Sequence, residues 1–237
     1  MGLYASLSVL SISADGAAKD ERIPVHTSPR VRRILEDFFL MAGLPADFTV
    51  CRDGQERPCL ELSACAHEER VFADFNLSHS REALAVLVAG GARSRLRLGC
   101  DVECLETGRD RSGIARRFFS SQEYDWIAQA EGDEGLRRFM MLWTAKESWL
   151  KAHGRSVFDM AKAPVFSMEP VSPGFPLQFS QLFLCSPSAK SYVLTLALPV
   201  GLGSVALETQ LDEGWRLSST EQIYPAERPV SMVSPKR

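Results

Sequence analysis

An α+β fold is what this sequence predicts. Three observations lead there. Segments rich in Leu, Val and Ile show the period of two that strands show. Other segments show helical spacing with recognisable starts and stops. The two kinds do not follow each other in strict strand–helix alternation. With 237 residues, 45% of them apolar and 24% charged, the chain has ordinary globular usage and enough length for a sizeable core.

Leu3–Ile12 has the composition of a first strand, and the stretch from Ser13 to Pro29 reads as loop. Ser28-Pro29 opens a helix from about Arg30 to Met41, which Gly43 ends; Val31, Ile34, Leu35, Phe38 and Phe39 form its apolar face. Arg30, Arg32 and Arg33 sit at the wrong end of its dipole, which calls for an acidic partner or simple solvation. Phe48–Arg52 reads as a short strand, Asp53-Gly54 as a turn, and residues 61–74 as irregular. Phe75–Leu77 and Ala83–Ala89 are strand candidates joined through Ser78-His79-Ser80-Arg81, with Gly90-Gly91-Ala92 turning the chain.

In Arg95–Cys104, Leu96, Leu98, Cys100, Val102 and Cys104 alternate with Arg95, Arg97, Gly99, Asp101 and Glu103, so Asp101 and Glu103 share the polar face. Ile114–Phe119 gives a helical turn. Ser120 with Glu123 makes a capping box for a helix to about Ala130. Gly132 and Gly135 break the chain, and the longest helix runs from about Leu136 to His153, stopped by Gly154. Beyond it, prolines separate short apolar pieces, Tyr192–Leu198 and Ser204–Glu208 read as strands, and the last fifteen residues as peripheral.

Several function classes fall away. A net charge of -3 gives no ground for nucleic-acid binding. No stretch approaches the roughly 18 apolar residues of a membrane helix, and Met1–Leu10 lacks the basic residue of a signal peptide. The cysteines at 51, 59, 65, 100, 104 and 185 form no CxxC pair, so reduced thiols and a cytoplasmic setting are expected, without structural zinc. P-loop, GxGxxG, Gly-x-Ser-x-Gly and HExxH patterns are all absent.

The chemistry concentrates in two places. On the long helix, Leu136, Phe139, Met140, Trp143 and Leu150 occupy one arc, with Glu147 inside it and Lys151 at its edge. A carboxylate on a packing face needs a partner. An ion pair between Glu147 and Lys151 would satisfy it, worth about 0.2–0.5 kcal/mol when exposed. Asp101, Glu103 and Glu147 would instead offer three hard oxygen donors to magnesium, if they meet in space. His79, flanked by Ser78 and by Ser80-Arg81, is either a satisfied turn histidine or part of a phosphate-binding segment.

Five elements stand in order along the chain: Arg57-Pro58, Asn76-Leu77-Ser78-His79-Ser80, Leu98-Gly99-Cys100-Asp101-Val102-Glu103, Ala115–Ser120 with Glu123-Tyr124, and Trp143–Lys151 reading WTAKESWLK. Together they resemble the 4'-phosphopantetheinyl transferase superfamily, in its longer kind that acts on carrier proteins. The resemblance implies two similar α+β halves related by a pseudo-twofold, at 1–92 and 93–237, with the active site between them. It implies transfer of the phosphopantetheine arm of coenzyme A to a serine of an apo acyl or peptidyl carrier protein, releasing adenosine 3',5'-bisphosphate. By motif position, Asp101, Glu103 and Glu147 would hold Mg²⁺, Glu147 would activate the serine, and Lys151 would contact phosphate. Ser78 and His79 would bind coenzyme A phosphates, Arg57 the adenine side, and Lys146 is a further coenzyme candidate whose wheel position points away from Glu147. A monomer is expected. The arginine-rich stretch the family carries ahead of its first long helix is short here, leaving His26, Arg30, Arg32 and Arg33 as replacements. A related protein that kept the fold and lost the reaction, or a different coenzyme A- or nucleotide-dependent transferase, are the rival readings.

Overall fold

The computed structural model describes residues 4–12, 28–44, 47–54, 57–62, 71–92, 97–106, 110–170, 175–200, 202 and 207–226. Eleven strands lie among them: β1 (Tyr4–Ser11), β2 (Phe48–Arg52), β3 (Pro58–Leu62), β4 (Val71–Ser80), β5 (Ala83–Ala92), β6 (Gly99–Cys104), β7 (Val165–Ser167), β8 (Leu177–Cys185), β9 (Ser191–Pro199), β10 (Leu207–Leu211) and β11 (Arg216–Ala226). The α-helices are α1 (Pro29–Met41), α2 (Arg111–Phe118), α3 (Ser121–Ala128) and α4 (Gly132–Ala152), and a 3-10 helix spans Val157–Lys162. None is long and apolar enough to cross a membrane among the described residues.

The strands form a sheet of order β10-β1-β5-β4, a second of order β6-β9-β8-β11-β7, and the separate β2–β3 hairpin. Alternation along β5 explains how they stack. Ala83, Ala85, Leu87 and Ala89 face a core shared with Leu98, Cys100, Val102, Leu194 and Leu196 of the second sheet. Leu84, Val86 and Val88 face the other way, onto Val31, Leu35, Phe38 and Phe39 of α1. On its outer face the second sheet carries α4, through Leu142, Ala145, Phe179 and Ala197. Two sheets thus share one core, and each bears a helix on its outer side, a mixed α+β arrangement.

Local chemistry accounts for the helix ends. Ser28 Oγ accepts from the Val31 N–H at the start of α1, and Arg30 finds its acid in Asp212, 2.7 Å away. Arg32 pairs with Glu36 at 2.8 Å. The capping box of α3 forms, with Ser120 and Glu123 bonded reciprocally. Helix α4 begins at Gly132 rather than Leu136. Gly135, expected to break the chain, lies inside the helix because it packs where a Cβ would come within 2.6 Å of the Ala130 carbonyl.

Other boundaries differ more. β4 continues through Ser78-His79-Ser80, and the turn falls at Arg81–Glu82, with Arg81 in the left-handed region (φ 54°). β3, β8 and β11 occupy stretches to which no strand was assigned; only the end of β3 falls in the stretch read as irregular and only the end of β11 in the tail read as peripheral. The expected division near residue 92 and the start of the Arg95 strand fall at residues 93–96, outside the described residues, as do His26 and Cys65.

Candidate active site

The site forms where the edge strands of the two sheets, β4 and β6, meet. Among the described residues no strand pairs with the outward edge of β6, and alternate side chains of β4 bond to its backbone N–H groups and side chains instead. Asp74 Oδ2 accepts from Leu98 N (2.8 Å) and Asn76 Oδ1 from Cys100 N (3.0 Å). Ser78 Oγ donates to Asp101 Oδ1 (2.9 Å) and Ser80 Oγ to Glu103 Oε2 (2.8 Å). This use of residues 74, 76, 78 and 80 explains a strand whose sequence looks polar enough for a loop.

The other wall is α4. Its close approach to β6 depends on Gly99, where a Cβ would stand 1.9 Å from the Ser148 carbonyl oxygen. Deeper in, Thr144 Oγ1 and Thr195 Oγ1 are 2.7 Å apart, and Thr195 is the β9 partner of Asp101. The polar face expected for β6 is therefore covered by α4, and Asp101 is only 5% exposed.

Lys151 arrives from the last turn of α4. Its Nζ donates to Ser78 Oγ and to Asp101 Oδ1, both at 2.8 Å. Burial works to lower the lysine pKa, but Asp101, Cys100 and Glu147 outweigh it and hold the ammonium above its ordinary value. Burial pushes the Asp101 carboxyl up, against the pull of Lys151, and Glu103 adds to the upward push. Asp101 is thus within electrostatic reach of Glu103 and Lys151, and Lys151 of Glu147. Among the described residues, Asp101 Oδ2 is buried and has no hydrogen-bond partner.

The remaining sequence-expected residues take different places. Arg57 is 6% exposed and grips Asp74 with two bonds, Nη1–Oδ1 at 2.7 Å and Nη2–Oδ2 at 2.5 Å. It also donates to the carbonyls of Leu98 (2.9 Å) and Lys151 (3.1 Å), so it ties β4, the entry to β6 and the end of α4 together. Lys146 is buried on the far side of α4, paired with Glu123 at 3.0 Å and donating to the Pro164 carbonyl at 2.9 Å. The structure does not bring it to Lys151. His79 is exposed and lies on the face of β4 opposite Ser78.

Beside Lys151 opens a cleft of about 270 Å³ whose lining includes Arg57, Asn76, Lys151, Arg155 and Ser156. Arg155, exposed and with its guanidinium 5.6 Å from the centre of the Trp149 ring, was not singled out from the sequence. The signal was there: it follows Gly154, four residues past Lys151 and just beyond the helix end. Arg30 and Arg32, by contrast, are engaged with Asp212 and Glu36.

The residues fit magnesium in their chemistry: three carboxylates on β6 and α4, one with a buried, unpartnered oxygen. Among the described residues no three such groups converge closely enough to hold an ion. Asp101 Oδ1 is turned to Ser78 and Lys151, and Glu103 to Ser80.

Residues 97–197, which hold β6 through β9, match the family model of the 4'-phosphopantetheinyl transferase superfamily. Over that stretch the chain is similar to members of that superfamily. Among similar proteins, the 4'-phosphopantetheinyl transferase HetI of Nostoc sp. is 31% identical over 99 residues, 42% of this chain and 40% of the relative. The 4'-phosphopantetheinyl transferase ffp of Bacillus subtilis is 31% identical over 127 residues, 54% and 50% of the two chains. AcpT of Escherichia coli K12, also a 4'-phosphopantetheinyl transferase, is 30% identical over 86 residues, 36% and 42%. The matched stretch spans half or less of each of these relatives. The superfamily match covers Asp101, Glu103, Glu147 and Lys151, whereas Arg57, Ser78 and His79 lie before it.

Proposed function

We propose that this protein transfers the 4'-phosphopantetheine arm of coenzyme A to a serine hydroxyl of an apo acyl or peptidyl carrier protein, as a magnesium-dependent transferase of the longer, single-chain kind working as a monomer. The observation that carries the reading is the knot of Ser78, Asp101 and Lys151, with Asp101 Oδ2 unpartnered, at the edge of a cleft lined by cations.

Asp101, Glu103 and Glu147 would hold the magnesium ion, which when bound supplies positive charge against the pyrophosphate. Lys151 stays charged across neutral pH, as its raised pKa requires, and contacts the phosphate on which negative charge develops. Ser78 orients the Lys151 ammonium through the bond they share. Arg57 keeps β4 and the end of α4 in register so that the lysine holds its position, and Arg155 and Lys151 face the coenzyme's phosphates from one cleft. Glu147 accepts the proton of the carrier serine as its oxygen bonds to phosphorus. The phosphorus–oxygen bond on the adenosine side breaks, and adenosine 3',5'-bisphosphate leaves with the bridging oxygen.

Calorimetric titration of coenzyme A into the full chain tests the binding half of this reading. Binding that strengthens with magnesium and is lost in Asp101→Asn and Lys151→Ala is expected. Affinity indifferent to EDTA and to both substitutions would overturn it.

A further inference from the structure

The β2–β3 hairpin holds a pair of groups that the proposed reaction does not use. Cys51 and Cys59 stand directly opposite each other in its antiparallel register. Their sulfurs are 2.7 Å apart, and both side chains are half-buried free thiols. The pair lies one residue outside the Arg52–Pro58 step, and beyond it Asp53 N donates to the Arg57 carbonyl at 2.9 Å while Arg57 N donates to Asp53 Oδ1 at 3.1 Å. The hairpin end that these bonds close carries Arg57, whose guanidinium ties β4 to the end of α4.

We propose that Cys51 and Cys59 form a thiol–disulfide modification site, closed reversibly by a small-molecule disulfide such as glutathione disulfide, which locks the hairpin that positions Arg57. Opposed positions on paired strands keep Cα separations within the range a disulfide spans, and the sulfurs need about 0.7 Å of approach to reach bonding distance. Burial, with Cys51 beside it, pushes the Cys59 thiol up to about 12. One thiol of the pair loses its proton and its thiolate attacks one sulfur of the disulfide, forming a mixed disulfide and releasing one thiolate. The other then gives up its proton as its sulfur displaces the second thiolate. Two thiols are oxidised, one disulfide is reduced to two thiols, and no other reactant is needed.

The test treats the full chain with glutathione disulfide, alkylates the remaining thiols, and maps unreduced peptides by mass spectrometry. The expected product is one linked peptide pair joining Cys51 to Cys59, reversed by reduced glutathione, with an unfolding midpoint above that of the reduced chain. Cys51→Ser and Cys59→Ser should each hold glutathione on the remaining sulfur and show no such rise. Wild-type chain carrying glutathione at either cysteine as its end product, joining either to a third cysteine, or staying unoxidised would overturn the proposal. So would a linked pair with no rise in midpoint. The outcome does not depend on whether the chain transfers phosphopantetheine.

Discussion

Replacing Gly99 with alanine tests the junction on which the site is built. The added Cβ would stand 1.9 Å from the Ser148 carbonyl oxygen and 3.1 Å from the Ala152 Cβ. Ordinary contact lies near 3.5 Å, so α4 must retreat from β6 by roughly 1.5 Å. The obstacle is backbone of a helix locked by Thr144, Thr195 and Gln181, not the end of a flexible side chain. Overpacking of this kind costs about 1–3 kcal/mol of stability. The same retreat moves Lys151, whose Nζ lies 2.8 Å from Asp101 Oδ1, beyond hydrogen-bond reach. A misplacement of about 1 Å in a catalytic group costs on the order of 100-fold in rate. Urea unfolding and carrier-modification rates read the two effects separately. Gly54→Ala is the control, because among the described residues nothing lies within 4 Å of a Cβ there. A Gly99→Ala protein with wild-type stability and rate would refute the claim that this contact aligns the two motifs.

Other substitutions separate structural from catalytic roles. Lys146→Ala leaves Glu123 buried without its cation, so stability should fall by about 3–5 kcal/mol in urea titration, while kcat of the folded fraction stays near wild type. Arg155→Ala should raise the KM for coenzyme A about tenfold, the loss of one charge-assisted hydrogen bond, with kcat unchanged in steady-state assays. His153 donates its Nδ1–H to the Trp149 carbonyl and stacks on the Trp149 ring, and burial lowers its pKa below the usual histidine value. The unfolded chain therefore takes up its proton first as pH falls, so stability is full above about pH 6.5 and declines below it. Unfolding midpoints measured across that range should lose this decline in His153→Gln.

The sequence was most readable where one chemical signal dominated. The Ser120–Glu123 box sets its own local structure and is found where its residues placed it. The apolar arc of α4 is only partly so. Leu136, Phe139, Met140 and Leu150 are buried, but Trp143 and Glu147 are half-buried while Met141, Leu142, Thr144, Ala145 and Ser148 are buried beside them, because the second sheet, with β6, encloses a wider arc of the helix than apolar residues alone mark. β4 was misread at its end because Ser78 and Ser80 serve another sheet's edge, a demand set by tertiary contact and invisible to local periodicity. β11 escaped notice because its first five residues are exposed and carry no apolar period. Within the site, motif spacing singled out Asp101 and Lys151, which the structure joins. It could not tell that Arg57 would spend its donors on Asp74, that Lys146 would find Glu123, or that strand alternation would set His79 opposite Ser78.

Intact-protein mass spectrometry of an apo carrier protein, incubated with this chain, coenzyme A and magnesium, reads the transfer directly. A mass gain of one phosphopantetheine arm is expected, abolished by EDTA and in Glu147→Ala. A folded protein that binds coenzyme A yet leaves a panel of acyl and peptidyl carriers unmodified would contradict it.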